Sequence, residues 1–325
     1  MRIRSLTLLC LVLAGCAAPT AAPAAVTPSP TPTSAPVSVV PPASPTAIPL
    51  TAQAAYEQGV ARQSAGDATG ARAAFDQALA LDPTFAPAYV ARGALYLAAG
   101  SPRNALADAQ SALVADPQSS AAYALLGEVL RRGFADPLQA LEAYERAVEL
   151  DPALAELLFP ARWRAATAAG QAARLLELAG EYAGGHAEDP LAAAYRGQAL
   201  IAAGAPGTAV DELVAVLTEG GPAALWFTLG QAYAAQDAWA EARVCYEQAW
   251  ALMESGDRTP GLLSETPTAD LWAGLGQAYL YTGDCAAALE ALERALAEEE
   301  RPDRHTLIGQ AMVCLLPTPT PLPTP

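Results

Sequence analysis

The chain has 325 residues, a formal net charge of −16, and eighteen basic residues, every one an arginine. An acidic surplus of this size argues against nucleic acid as a partner, because phosphate binding needs a basic face. The length allows one large domain or an array of small units, and an Ala- and Leu-rich middle is flanked by two proline-rich ends.

Met1-Arg2-Ile3-Arg4, the apolar run Leu6 to Leu13 and the small residues after it have the charged, apolar and cleavage regions of a secretory signal. The apolar run is too short for a transmembrane helix, which takes about 20 residues. The closing Leu13-Ala14-Gly15-Cys16 resembles the lipobox of bacterial lipoproteins. That resemblance implies a diacylglyceryl group on the Cys16 thiol and cleavage before it, leaving residues 1–15 as signal peptide. Two or three acyl chains, at about 0.8 kcal/mol per buried methylene, hold a protein stably where one chain does not. The expected location is therefore the outer side of the cell membrane, facing periplasm or exterior, with an ordinary secretory signal as the alternative. Residues 16–50 follow as Cys16 and a linker almost wholly of Ala, Pro, Thr, Ser and Val, without a charged residue. They are expected to be disordered, a semi-rigid tether with polyproline-like stretches.

From residue 51 a phrase recurs. Gly59, Gly93 and Gly127 are equally spaced, and Asp82-Pro83 and Asp116-Pro117 keep the same period, with Asp151-Pro152 one residue late. A fixed period of this size marks a solenoid. The first unit carries Gly59, Ala71, Phe75, Ala78 and Pro83. The second has Tyr89, Gly93, Tyr96, Ala105, Ala112 and Pro117, and the third Tyr123, Leu126-Gly127, Ala140, Tyr144, Ala147 and Pro152. Two later units contain Trp226, Leu229-Gly230, Tyr233, Ala242, Tyr246 and Ala249, and then Trp272, Leu275-Gly276, Tyr279, Ala288, Leu292 and Ala295. These phrases resemble the tetratricopeptide repeat. The resemblance implies an all-α fold, a right-handed superhelix of helix hairpins in which Gly and Ala permit close helix crossing.

About seven repeats are expected over 51–303. Residues 153–221 are degenerate, the first hairpin with Trp163, Leu175 and Leu178, the second with Tyr195, Ala209, Leu213 and Val216, and an irregular joint is expected near Gly184-Gly185. Residues 254–268 read as an inserted loop rich in Gly, Pro and Ser, residues 304–316 as a C-terminal capping helix, and residues 317–325 as a Pro/Thr-rich disordered tail.

No catalytic motif stands out. His186 and His305 lack neighbours at metal-ligand spacing, and there is no nucleophile elbow or Gly-rich phosphate loop, so no catalysis, metal or cofactor is expected. In an oxidising compartment Cys285, at the start of the last full repeat's second helix, and Cys314, near the end of the cap, face each other if the helices stack antiparallel. A bridge between them is predicted, the alternative being two buried thiols. Cys245 is expected to be a packed free thiol.

The resemblance also implies that first-helix residues of each repeat line a concave groove: Tyr56, Val90, Leu97, Arg131, Arg132, Phe227, Gln231, Gln277, Leu280 and Tyr281, with Arg196 included if the register of the degenerate part allows. This set is mixed and rather apolar, and suits an extended or helical peptide whose acidic group meets the arginines. The function expected is a membrane-anchored scaffold for a protein or peptide partner in envelope assembly or secretion. The alternative is a spacer that associates with copies of itself.

Overall fold

The computed structural model describes residues 51–217 and 220–316. The expected signal peptide, Cys16, the expected linker up to residue 50 and the tail from 317 lie outside the described residues. Within them the chain forms sixteen helices. Seven antiparallel hairpins follow one another: α1 (Ala52–Ser64) with α2 (Ala68–Leu81), α3 (Ala86–Ala98) with α4 (Pro102–Ala115), α5 (Ser120–Gly133) with α6 (Pro137–Leu150), α7 (Leu154–Ala168) with α8 (Ala172–Gly185), α9 (Pro190–Ala202) with α10 (Pro206–Val216), α11 (Ala223–Ala234) with α12 (Trp239–Glu254), and α14 (Pro267–Tyr281) with α15 (Cys285–Glu298). The short α13 (Pro260–Leu263) lies in the insert, and α16 (Pro302–Cys314) closes the array. No described helix is long and apolar enough to cross a membrane.

Local chemistry sets the ends of these helices. Asp82, Asp116 and Asp151 precede prolines, which disfavour helical geometry in the preceding residue, and all three are extended with φ near −140°. Asp67, Asp136 and Asp284 begin second helices by accepting from the backbone N–H three residues on, at 2.8, 3.1 and 3.1 Å. Most turns within hairpins place a glycine in the left-handed region. Ala135 and Asp237 occupy it in the third and sixth hairpins, at φ 50° and 57°.

Hairpins pack where a glycine lets a large side chain approach. A Cβ on Gly127 would stand 2.7 Å from the Tyr144 ring, and one on Gly230 2.7 Å from the Tyr246 ring. Gly197 faces Leu213 in the same way. Midway between Gly127 and Gly197, α7 carries Arg162 instead. This guanidinium is 2% exposed and meets Glu145 of α6 and Glu181 of α8, each at 3.0 Å. Arg174 joins the same carboxylates at 2.8 and 3.1 Å. Charge thus replaces the close crossing, and α7 and α8 pack more loosely than the other hairpins. The irregular joint therefore lies between the two helices of the fourth hairpin rather than at the end of its second helix, Gly184-Gly185. On its other side the gap is filled by aromatic rings: Phe159 lies 5.0 Å from Tyr182 and 4.9 Å from Tyr195, and Trp163 4.6 Å from Tyr195.

The C-terminal end is held by Arg304, which is fully buried. Its Nη1 donates to the Ala295 carbonyl in the last turn of α15 at 2.9 Å and to that of Glu299, the residue after the helix, at 2.5 Å, while Nη2 meets Asp270 and Glu299. A cation on the C-terminal carbonyls of a helix complements its dipole. A disulfide joins Cys285 to Cys314, with Cα atoms 5.8 Å apart. Cys245 is a buried free thiol, its pKa pushed up to about 11 by burial and by the Glu241 charge.

Candidate functional site

The first helices α3, α5 and α7 touch in succession, as do α9, α11, α14 and α16, and together they form the concave face. The groove residues expected from the sequence divide on it. Arg132 is exposed beside Glu128, and Gln231 accepts from Gln198 of α9 at 3.3 Å. Val90 and Leu97 are half-buried against the packed alanines and leucines between the second and third hairpins, and Gln277 is half-buried. Tyr56 is half-buried between Phe75 and Phe85, with ring centroids 5.7 and 5.5 Å away, so it serves the joint between the first two hairpins. Tyr281 stands at the rim, 54% exposed, stacked on Trp239.

Three expectations need correction. Phe227 is 1% exposed, inside a core shared by α11, α12 and α14, because α14 packs directly over that part of α11. Leu280 packs into the core that α16 completes, so the cap occupies the position where a ligand was expected. Arg196 turns away to the second helix of its own hairpin and pairs with Glu212 at 2.6 Å. The crossing glycine is Gly197, and this register puts Gln198, not Arg196, toward the groove.

At the centre of this face stands Arg131, as expected, but its partners in the insert and the roles of Arg164 and Tyr195 were not evident from the sequence. Glu128 accepts from the Tyr144 hydroxyl at 2.6 Å and pairs with Arg131 at 3.1 Å. Burial pushes its carboxyl up, but those hydrogen bonds outweigh it and hold the group below the ordinary glutamate range. Arg131 also pairs with Glu265, which belongs to the insert. Arg164 of α7 donates from Nη2 to the Gly261 carbonyl at 3.1 Å, and the Tyr195 hydroxyl donates to the Leu262 carbonyl at 3.4 Å. Leu263 is 4% exposed and belongs to the same buried cluster as Phe159, Trp163, Tyr195 and Leu225.

Residues 257–266 therefore do not loop into solvent. They lie on the concave face and touch α5, α7, α9, α11 and α14. Asp257 and Thr259 accept from the first free amides of α11, Ala223 at 2.8 Å and Ala224 at 3.0 Å. At the other end Thr266 donates to Glu299 at 3.1 Å and Ser264 to Asp270, the two carboxylates that also hold Arg304. The sequence offered one cue to this placement, Leu262-Leu263 followed by Glu265 among Gly, Pro and Ser in a stretch that also carries Asp257 and Arg258. Among the described residues no group of His, Cys, Asp and Glu is arranged to hold a metal.

A family model described as tetratricopeptide repeat matches residues 43–84, 90–155 and 274–314. The hairpins between the second and third segments, where Arg162 replaces the crossing glycine and the insert intervenes, lie outside the match. No curated protein matches the sequence. A tetratricopeptide repeat protein from Parabacteroides merdae is similar in structure, with a TM-score of 0.62 at 14% identity, over 80% of this chain and 98% of that one. The C-terminal part of a repeat-containing protein from Cytophaga hutchinsonii aligns with a TM-score of 0.49 at 17% identity, over 78% and 99% of the two chains.

Proposed function

The chain is a tetratricopeptide-repeat protein, and we propose that it is a lipid-anchored extracytoplasmic scaffold that holds another envelope protein on its concave face. Proteins of this family are typically non-catalytic scaffolds that bind protein partners. The observation that carries the reading is a concave face that already binds peptide backbone: Arg164 and Tyr195 donate to consecutive main-chain carbonyls, a leucine is sunk among aromatic rings, and an arginine takes a carboxylate. These are the elements by which a groove recognises a peptide, here one wound into the short turn of α13. Anchoring at Cys16, export, and a role in envelope assembly or secretion are supported by the lipobox-like run and the proline-rich tether.

The test is crosslinking and mass spectrometry on membranes carrying the full-length protein, beside Cys16→Ala and a groove variant with Arg132→Glu and Gln231→Glu. Phe227 is left intact because it belongs to the core. A partner crosslinked to the parent and lost in the groove variant is the expected result. An unmodified Cys16 would remove the anchor, and a partner retained by the groove variant would move the binding face elsewhere. End-to-end self-association is a second reading, favoured by the exposed Met312, Val313, Leu315 and Leu316 at the end of the array. It requires oligomers that grow with concentration in sedimentation.

A further inference from the structure

We propose that residues 257–266 are a resident ligand of the concave face, held in cis, and that the partner competes for the same site with a segment carrying a leucine in a short helical turn and, two residues later, a carboxylate. This rests on the scaffold reading above and specifies what the groove accepts. Three features separate the insert from an ordinary connection between hairpins. A connection needs only a few residues, as the other hairpin joints show, whereas this one runs from the end of α12 to α14 and crosses the first helices of earlier repeats. Its contacts are also sorted as a ligand's are. The two carbonyls are bound by side chains, Leu263 is the apolar anchor, and Glu265 supplies the charge.

The third feature is that the fit is incomplete. Arg164 is half-buried under the insert with no carboxylate within ion-pair distance among the described residues, its Nε has no hydrogen-bond partner, and its one acceptor is the neutral Gly261 carbonyl. A carboxylate can take two parallel N–H bonds from a guanidinium and adds the attraction of an opposite charge, neither of which a single carbonyl supplies. An incoming segment with an acidic group near Arg164 would gain what the insert leaves unmet. The Glu265 side chain is 57% exposed, so its pair with Arg131 can open without exposing core. A tethered occupant acts at an effective concentration on the order of millimolar. It therefore shields the face against weak ligands and yields to ones that bind more tightly.

The experiment uses a fluorescent synthetic peptide with the sequence of residues 257–266 and three forms of the full-length chain: intact, Glu265→Arg, and one with residues 258–265 replaced by a Gly/Ser linker of equal length. Fluorescence anisotropy should show the peptide binding the linker form at least tenfold more tightly than the intact chain, with Glu265→Arg between them. Adding Arg131→Glu to the linker form should abolish binding, and a peptide carrying Glu265→Arg should restore it. Equal binding to the linker and intact forms, or none to a linker form that keeps its helical circular dichroism, would overturn the proposal. Should the linker form fail to fold, hydrogen exchange decides. The hydrogen-bonded amides of Gly261, Leu262 and Ser264 must be protected in the intact chain and exchange at least tenfold faster in Glu265→Arg while α5 and α7 are unchanged, and an insert already exchanging freely refutes it. A partner crosslinked on the rim, with the insert undisturbed, would leave the scaffold reading standing and this inference refuted.

Discussion

Two helix-interior glycines should respond to the same substitution with opposite signs. Gly127 of α5 faces Tyr144, and a Cβ there would stand 2.7 Å from both Cδ1 and Cε1 and 3.0 Å from Cγ. The ring cannot swing aside cheaply, because its hydroxyl is tied to Glu128 at 2.6 Å and Tyr144 is buried. Overpacking of this kind costs about 1–3 kcal/mol, and two ring atoms at 2.7 Å with the ring tied in place put it in the upper part, about 2–3; the better helix propensity of alanine returns about 1, so Gly127→Ala should destabilise by about 1–2 kcal/mol. Gly180 of α8 is also helical, yet nothing stands within 4 Å of its would-be Cβ. Gly180→Ala should therefore stabilise by about 0.5–1 kcal/mol through helix propensity and a less flexible unfolded chain. Urea unfolding followed by circular dichroism checks both. The slope with denaturant must stay the same, since a repeat array can lose cooperativity and blur the midpoint. Equal shifts in the two variants, or a neutral Gly127→Ala, would refute the argument that glycine is required here for close crossing.

Other outcomes follow from the ion pairs, the disulfide and the turns. Burial pushes the Glu145 carboxyl up, but hydrogen bonds from Arg174 and Arg162 more than offset it and hold it below the ordinary 4.5. A depressed folded pKa gives stability that is fully present above the unfolded value and lost as pH falls through the folded one. The gap in urea midpoint between the parent and Glu145→Gln should thus be constant above about pH 5 and shrink below 4.5, and a gap that widens in acid would contradict the assignment. Cys285→Ser should cost about 3.5 kcal/mol from the loop of 29 residues that the bond closes, seen as faster hydrogen exchange in α16 and matched by a reductant on the parent. Ala135→Gly should stabilise by about 0.5–1 kcal/mol, because alanine at φ 50° is in a region glycine enters freely; a lower thermal midpoint would contradict this. Phe227→Ala should cost about 3–5 kcal/mol and abolish partner capture only by disrupting α11, visible as lost helicity.

The repeat phrase makes the hairpins legible, because glycine at a crossing, a ring opposite it and Asp-Pro at a helix end each act within one or two helices. Gly127 with Tyr144, and Asp82 with Pro83, could be read directly. The degenerate fourth hairpin could not be registered in this way. Arg162 stands where glycine does elsewhere, and a buried arginine is understood only through carboxylates on two other helices, Glu145 and Glu181. The candidate site was legible in part for the same reason. Position in the repeat puts Arg131, Arg132 and Gln231 on the concave face, but whether a side chain there meets solvent depends on what packs over it. For Phe227 that is α14, for Leu280 it is α16, and for Arg131 it is Glu265.

By itself the sequence determined the helices, their ends and their stacking, since these follow from periodic local chemistry repeated along the chain. Tertiary structure alone decided the path of residues 257–266. An insert without periodicity carries no register, and its course is set by partners far away in the chain: the free amides of α11, the guanidinium groups of Arg131 and Arg164, and the aromatic gap opened where Arg162 replaced a glycine.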